Sequence, residues 1–353
     1  MGALHGGRPR GRAREHGGRF RGPLAAHVRV VCRALRRRGG EEGGDIGPVT
    51  PAPLRGEVAV VTGANSGVGR SATEMLLRAG VHVTMICRSR ERGAQALAEL
   101  RELATAAGAD VALELADMSR LDDVRGAAAR IAARLPAIDI LVNNAGVSQA
   151  RCVESAEGFE LTFATNHLGH FLLTHLLLER LETGRGRIVN VSSRGHRGGD
   201  LRRAPLEDIA RGRAWEGALQ AYGDSKLANV LFTTESARRW GDRGITANSV
   251  HPGVLATEIW KKTPRLVRIL LRPFTWFMDK PDVGGAAVMN LVRDPARDDV
   301  VNGLYFSELD EEKPSAQARD DDLARELWDR SLEWTEDHTG RTPTDEGDND
   351  ARS

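Results

Sequence analysis

Tyr222 and Lys226, four residues apart, are the pair in this sequence best suited to acid–base chemistry. The apolar residues that follow (Leu227, Val230, Leu231, Phe232) predict a helix, on which positions i and i+4 share a face. A free phenol titrates near pH ~10 and a neighbouring ammonium favours its ionised form, so a stacked Tyr and Lys can make a tuned proton donor. The same spacing also suits a solvated helix face, and the pair alone does not choose between the two. What chooses is whether other reactive groups are delivered to the same place.

A second candidate stands early in the chain. Val58-Ala59-Val60-Val61 is an apolar run of the kind expected for a strand buried on both faces. It leads into Thr62-Gly63-Ala64-Asn65-Ser66-Gly67-Val68-Gly69 and then a helical stretch that ends at Gly80. A strand, a glycine turn and a helix start make a phosphate site, because glycines let the backbone approach a pyrophosphate and the helix N-terminus offers N–H groups and partial positive charge. The spacing is Gly-x3-Gly-x-Gly, and glycine turns after strands are common, so the motif is weak by itself. The next strand, residues 81–87, runs into Arg88-Ser89-Arg90 with no acid before Glu91. In dinucleotide folds an acid there accepts from the ribose hydroxyl of NAD, whereas arginine pairs with the extra phosphate of NADP. NADP(H) is therefore favoured over NAD(H).

Helices and strands alternate onward, and polar groups recur at strand ends. The strand at 138–142 closes with Asn143-Asn144-Ala145-Gly146, at the edge where open α/β sheets bind ligands. Asn143 and Asn144 also suit a purely structural role, bonding neighbouring strands. A long helix is expected over 158–181, carrying Asn166, His167 and His170 among Phe163, Leu168, Phe171 and Leu172. The two histidines have no third ligand candidate nearby, so no metal site is expected, and a buried Asn166 needs a hydrogen-bonding reason. The strand at 187–193 ends in Ser192 and Ser193, residues 194–217 read as an irregular loop, and a further strand at 245–250 precedes His251-Pro252-Gly253. Residues 260–277 mix basic and bulky apolar side chains and suit a lid over a substrate or a contact with a membrane surface. The alternation predicts the α/β class: a single doubly wound parallel sheet flanked by helices.

Composition sets the limits. The net charge of +1 conceals eleven Arg and one Glu in residues 1–40, against fifteen acids and six bases in residues 310–353. The near-neutral middle carries no nucleic-acid footprint, and none is expected. Cys32, Cys87 and Cys152 have neither disulfide nor zinc spacing. No run reaches the ~20 apolar residues of a membrane span, and the arginine-rich start lacks the apolar core of a signal peptide. A cytoplasmic protein is expected, in three parts: a basic disordered extension and Gly/Pro linker (1–54), a catalytic domain (55–310), and an acidic helix with a disordered tail (311–353).

Taken in order, Thr62-Gly63-x3-Gly67-x-Gly69, Asn143-Asn144-Ala145-Gly146, Asn166-His167-Leu168-Gly169-His170-Phe171, Ile188 to Ser193, Tyr222-x3-Lys226 and His251-Pro252-Gly253 resemble the short-chain dehydrogenase/reductase superfamily over about residues 55–310. The Asn-His-Leu-Gly-His-Phe segment and Gly303 to Ser307 resemble its retinol dehydrogenase-related branch. The resemblance implies a Rossmann fold and a reaction that interconverts an alcohol with an aldehyde or ketone by hydride transfer. It makes Tyr222 the acid or base, and Lys226 the group that lowers its pKa and holds the nicotinamide ribose. It gives Ser193 the substrate oxygen, and Asn166 a water of the proton relay. The glycine turn (Gly63, Asn65, Ser66, Gly67, Val68, Gly69), Arg88, Asp117 with Met118, Asn144, Ala145, Gly146, Val254 and Thr257 become the cofactor contacts. A lipophilic substrate such as a retinoid, steroid or long-chain aldehyde follows from the apolar lid. Two alternatives stand beside it. A cofactor-binding sensor without turnover would usually lack the Tyr or the Lys. The protochlorophyllide reductases carry a cysteine two residues after the Lys, where this chain has Ala228.

Overall fold

The computed structural model describes residues 54–253, 281–292 and 301–336. Val254, Thr257, the 260–277 segment and the basic first forty residues lie outside the described residues.

The first strand, β1 (Val58–Thr62), is almost wholly buried, as a parallel strand covered on both faces must be. Gly63 turns the chain into α1 (Gly67–Arg78), and β2 (His82–Cys87) returns beside β1. Ser89 caps α2 (Arg90–Ala107) by accepting from the Arg92 N–H, and the helix stops at Gly108 in the left-handed region. Then come β3 (Val111–Leu115), α3 (Leu121–Arg134) and β4 (Ile140–Asn143). After α4 (Gly169–Leu176) the chain forms β5 (Arg187–Val191), the long α5 (Ala218–Trp240), β6 (Thr246–His251), α6 (Pro281–Val292), β7 (Tyr305–Ser307), β8 (Asp310–Glu311) and α7 (Asp321–Thr335).

Among the described residues these strands form one eight-stranded sheet, in the order β3-β2-β1-β4-β5-β6-β7-β8. All pairings are parallel except β7 with β8, which closes the edge as an antiparallel turn that periodicity did not announce. The order reverses between β1 and β4, creating a crevice at the carboxyl ends of those strands. Neighbouring strand residues serve opposite faces. Val60, Leu141 and Ile188 pack with Leu121, Ile131 and Phe171, while Val61, Val142 and Val189 pack with Leu76, Leu100 and Val288. The terminal helix α7 buries Leu323, Leu327 and Trp328 in the first of these cores, and the Trp328 ring lies 5.1 Å from Trp240 of α5. Removing a ring so placed costs about 3–5 kcal/mol.

The helix expected over 158–181 is not continuous. Glu154 and Glu160 pair as a short bridge, and the Glu160 carboxylate caps Phe163, so helical structure starts at Leu161. A π turn occupies Ala164–Leu168, and a further break at Leu177 precedes a short helix, Leu178–Gly184. The π turn falls on Asn166, whose side chain bonds outside the helix. The 194–217 loop is also more ordered than its composition implies, holding a 3-10 turn, Arg194–Gly198, and a short helix, Leu206–Ala210. Among the described residues, no helix is long and apolar enough to cross a membrane.

Candidate active site

The crevice has two banks. On the first, Gly63 and Gly67 sit at φ +65° and +55°, which side-chain-bearing residues rarely adopt. Gly69 is required by space: a Cβ there would lie 2.3 Å from Asn144 Nδ2 and 2.6 Å from Gly63 O. No side chain caps the α1 N-terminus at Ser66, and its first turn holds no acid, so Ser66, Gly67 and Val68 open a helix suited to an anion. Asn65 stands just before it. Cys87 lies buried beneath the turn, hydrogen-bonded to the Ala64 and Asn65 backbone, and burial pushes its thiol up to about 11.

Arg88 follows β2, and its Nη1 lies 3.8 Å from Asp117 Oδ2 beyond β3. Two expected cofactor residues from different strands thus meet at the sheet edge. Asp117 holds its own turn by accepting from the Ser119 N–H and hydroxyl, at 3.0 and 2.7 Å. Met118 is buried, and its carbonyl faces Gly169 so closely that a Cβ there would stand 2.1 Å away.

Asn144 and Ala145 both donate their N–H groups to Thr62 Oγ1, at 2.8 and 2.9 Å, and Asn144 Nδ2 donates to Thr62 O. His170 completes this knot. Its Nδ1 lies 2.9 Å from the Asn166 carbonyl, which only accepts, so Nδ1 bears the proton and Nε2 accepts from the Thr62 hydroxyl at 2.9 Å. Burial drives His170 down to about 4, which keeps it neutral and in that tautomer. Behind it, Asn143 bonds Thr174 and Asn190, and Asn190 bonds Thr233, a buried ladder across the sheet. The structural role open to Asn143 and Asn144 is the one their side chains perform.

The second bank is α5 with the turn after β5. Tyr222 and Lys226 share a helix face, with Lys226 Nζ 5.7 Å from the centroid of the phenol ring. The ammonium is buried and donates to Val191 O at 2.8 Å, and burial lowers it to about 8. Desolvation raises the Tyr222 phenol overall, and the Ser193 side chain beside it pulls the other way by a smaller amount. The expected lowering by Lys226 is therefore not what the protein groups alone produce. The ammonium is spent on a carbonyl and is itself partly desolvated. Ser193 Oγ accepts from Gly195 N at 3.1 Å, which fixes its rotamer.

Asn166 joins the banks. Its Oδ1 accepts from Val147 N at 2.8 Å, and its Nδ2 donates to Val147 O and to Ser225 Oγ at 3.0 and 2.9 Å. Both ends of the amide are engaged by protein, which is reason enough for its burial. Gly146 closes the gap: a Cβ there would lie 3.4 Å from Asn166 Oδ1 and 3.6 Å from Lys226 Nζ. Two residues of this site escaped sequence reasoning: Thr62 sits inside a quoted motif without an assigned role, and His170 reads there only as lacking partners for a metal.

The crevice fits a dinucleotide on its own terms: an uncapped helix start without acids, a Cβ-free wall at Gly69, and a buried cation beside a phenol and a serine. Among the described residues, no group of three or more His, Cys, Asp or Glu side chains is placed to hold a metal.

A family model described as short chain dehydrogenase matches residues 57–201. The chain is 40% identical to cattle (Bos taurus) dehydrogenase/reductase SDR family member 13 over 79% of its own length and 73% of that protein's. It is 37% identical to human retinol dehydrogenase 14, covering 87% of this chain and 92% of that protein. A crystal structure of a short chain dehydrogenase from Burkholderia cenocepacia in complex with NADP superposes with a TM-score of 0.58 at 26% identity, covering 72% of this chain and 97% of that one.

Proposed function

The chain belongs to the short-chain dehydrogenase/reductase family, in its retinol dehydrogenase-like branch, and is an oxidoreductase acting on CH–OH donors; on that premise we propose that it interconverts a lipophilic alcohol with its aldehyde or ketone, using NADP(H) and Tyr222 as acid or base. The observation that carries this reading is the convergence of the Tyr222 ring and the Ser193 hydroxyl on Gly195, where a Cβ would lie 3.4 Å from both, one helical turn from a buried Lys226. A carbonyl oxygen between the two hydroxyls would be polarised by Ser193 and protonated by Tyr222 as charge builds on it. In the oxidative direction Tyr222 would take the alcohol proton. A nicotinamide bound in the crevice supplies the hydride for reduction and accepts it in oxidation.

The raised phenol matters here. Tyr222 is protonated and ready to donate at neutral pH, whereas the oxidative direction must stabilise the phenolate. Lys226 would do so, holding the nicotinamide ribose as well. Asn166 would act by position, tying the Val147 backbone to Ser225 so that the banks keep their separation. The glycine turn and α1 would hold the pyrophosphate. Gly146 would line the ribose, Asp117 and Met118 the adenine, and Val254 and Thr257 the nicotinamide amide. Arg88, exposed at the sheet edge and only 3.8 Å from Asp117, would turn to the extra phosphate of NADP. The relative crystallised with NADP, and the Arg88 position itself, support that choice. A retinol dehydrogenase among the relatives, together with the apolar residues 260–277, supports a lipophilic substrate.

The test is a panel of aldehydes and ketones, from retinoids and steroids to sugars, with NADPH and NADH run in parallel. Turnover of the lipophilic members with NADPH is expected, and Tyr222→Phe should lower kcat roughly 10²–10⁴-fold while NADPH still binds. Tight NADPH binding without turnover of any carbonyl would make the protein a sensor instead. Equal rates with the two cofactors would sink the role given to Arg88.

A further inference from the structure

The turn that carries Ser193 is held from outside by the carboxy-terminal segment. His196, three residues beyond Ser193, is fully buried, and both of its ring nitrogens are used. Nδ1 lies 2.7 Å from the Ser193 carbonyl and Nε2 accepts from the Ser315 N–H at 3.1 Å. A carbonyl only accepts and a backbone N–H only donates, so the ring is neutral with its proton on Nδ1. Its ring packs against that of Tyr305 in β7, tilted by 60° with the centroids 4.7 Å apart.

Further bonds run the same way. Arg194 donates to Ser307 Oγ at 3.0 Å, and Arg197 donates to the Glu312 carboxylate and the Lys313 carbonyl at 2.7 and 2.8 Å. Gln317 accepts from Leu201 N and donates to Asp200. On its other side, the turn lies flush against the helix of Tyr222. A Cβ at Gly195 would sit 3.4 Å from both the phenol ring and Ser193 Oγ, and one at Gly199 would sit 2.5 Å from Gly223 O. Carboxy-terminal segment, serine turn and α5 are thus three layers in direct contact, and the middle layer holds the serine.

We propose that residues 307–317 form a strap that positions Ser193 through His196, making the carboxy-terminal segment a working part of the active site. The proposal rests on the reading that Ser193 meets the substrate oxygen. His196 touches no reacting atom, so it is a positioning residue. It is coupled to the serine through the main-chain carbonyl, and any drift of the strap is passed to the hydroxyl. A displaced catalytic group loses rate steeply, since an error near ~1 Å can cost on the order of 10²-fold.

Two variants of the full chain cut the strap at different places. His196→Phe keeps a ring against Tyr305 and removes both bonds. The double variant Arg197→Ala/Gln317→Ala loosens the strap and leaves His196 intact, so it serves if the first fails to fold. With a carbonyl found in the panel above, kcat should fall about tenfold or more in each. NADPH affinity, read by quenching of protein fluorescence, should stay within about twofold, because the cofactor bank is untouched. Unchanged kcat in both variants overturns the strap. So does a loss of kcat that only parallels lost NADPH binding, which would mark a staple of the fold. Tyr222→Phe separates the failures. Turnover that needs Tyr222 but ignores the strap overturns the strap alone, whereas turnover indifferent to Tyr222 overturns the active-site reading and the strap's role with it.

Discussion

The two banks of the crevice are built from different materials. The first is backbone pressed against backbone: glycines at positive φ, a missing Cβ at Gly69, and the N–H groups of Asn144 and Ala145 gathered on one threonine hydroxyl. The second is side chains reaching across the fold, with Lys226 on the Val191 carbonyl and His196 joined to a residue 119 positions away. A bank of backbone has no room for added atoms, and a bank of side chains cannot spare the ones it has. The first should fail when something is inserted and the second when something is removed.

Removal on the second bank should have the largest effect. Lys226→Met keeps the length of the side chain and deletes the ammonium that would face a developing phenolate. We expect kcat/KM to fall by roughly 10²–10³-fold, with weaker NADPH binding, measured by steady-state kinetics and fluorescence titration. A fall in kcat with binding fully retained would mean that Lys226 serves the proton alone.

Insertion on the first bank comes next. Gly69→Ala would place a methyl 2.3 Å from the Asn144 side chain and 2.6 Å from the Gly63 carbonyl. Overpacking of this kind costs about 1–3 kcal/mol, and we expect it as a lower melting temperature together with weaker NADPH binding. Unaltered binding would show that the turn can yield and that the contrast between the banks is overdrawn. A smaller effect should follow at the rim, where Arg88→Ala is expected to raise the KM for NADPH about tenfold, the worth of a charge-assisted bond. The KM for NADH should not move. Equal changes for both would assign Arg88 to its ion pair with Asp117 and not to a phosphate.

A last expectation concerns stability against pH rather than activity, and it tests both banks at once. His167 is driven down to about 3 and His170 to about 4, and His196 is lowered as well, chiefly by burial in each case. Their folded values lie below the ordinary 6.5, so the unfolded chain binds more protons below that pH. The histidine contribution should be level above pH 6.5 and should lower stability as the pH falls toward 4, by up to about 3 kcal/mol for His170 alone. Glu160 and Asp224, raised by burial, act with the opposite sign and soften the slope. Melting temperatures across this range should decline less in His170→Gln than in the wild type. Parallel curves would leave His170 outside the acid response.

The order of elements was legible, and so was the placing of Tyr222 and Lys226 on one helix and of the glycine turn at the end of β1. Val58 to Gly69 reads as strand, turn and helix because apolar runs and glycines act on their immediate neighbours. Tyr222 and Lys226 share a face in the structure because helix geometry alone requires it. The helix over 158–181 was misjudged where this locality fails: Glu160 caps it late and Asn166 draws a π turn toward Val147, partners that no periodicity announces.

Spacing and residue type, then, were enough to set Tyr222 above Lys226 and the glycine turn between β1 and α1, since both follow from backbone geometry within a few positions. Which polar atoms meet was decided by the tertiary structure alone. Thr62 finds His170 across 108 residues, and His196 finds Ser315 across 119. The direction of the Tyr222 shift belongs to the same class. The neighbouring lysine predicted a lowered phenol, but desolvation is summed over everything that surrounds the ring, and burial outweighed the pull of Ser193. A hydrogen bond or a desolvated charge depends on atoms a few ångströms away in space, and only the folded chain brings them together.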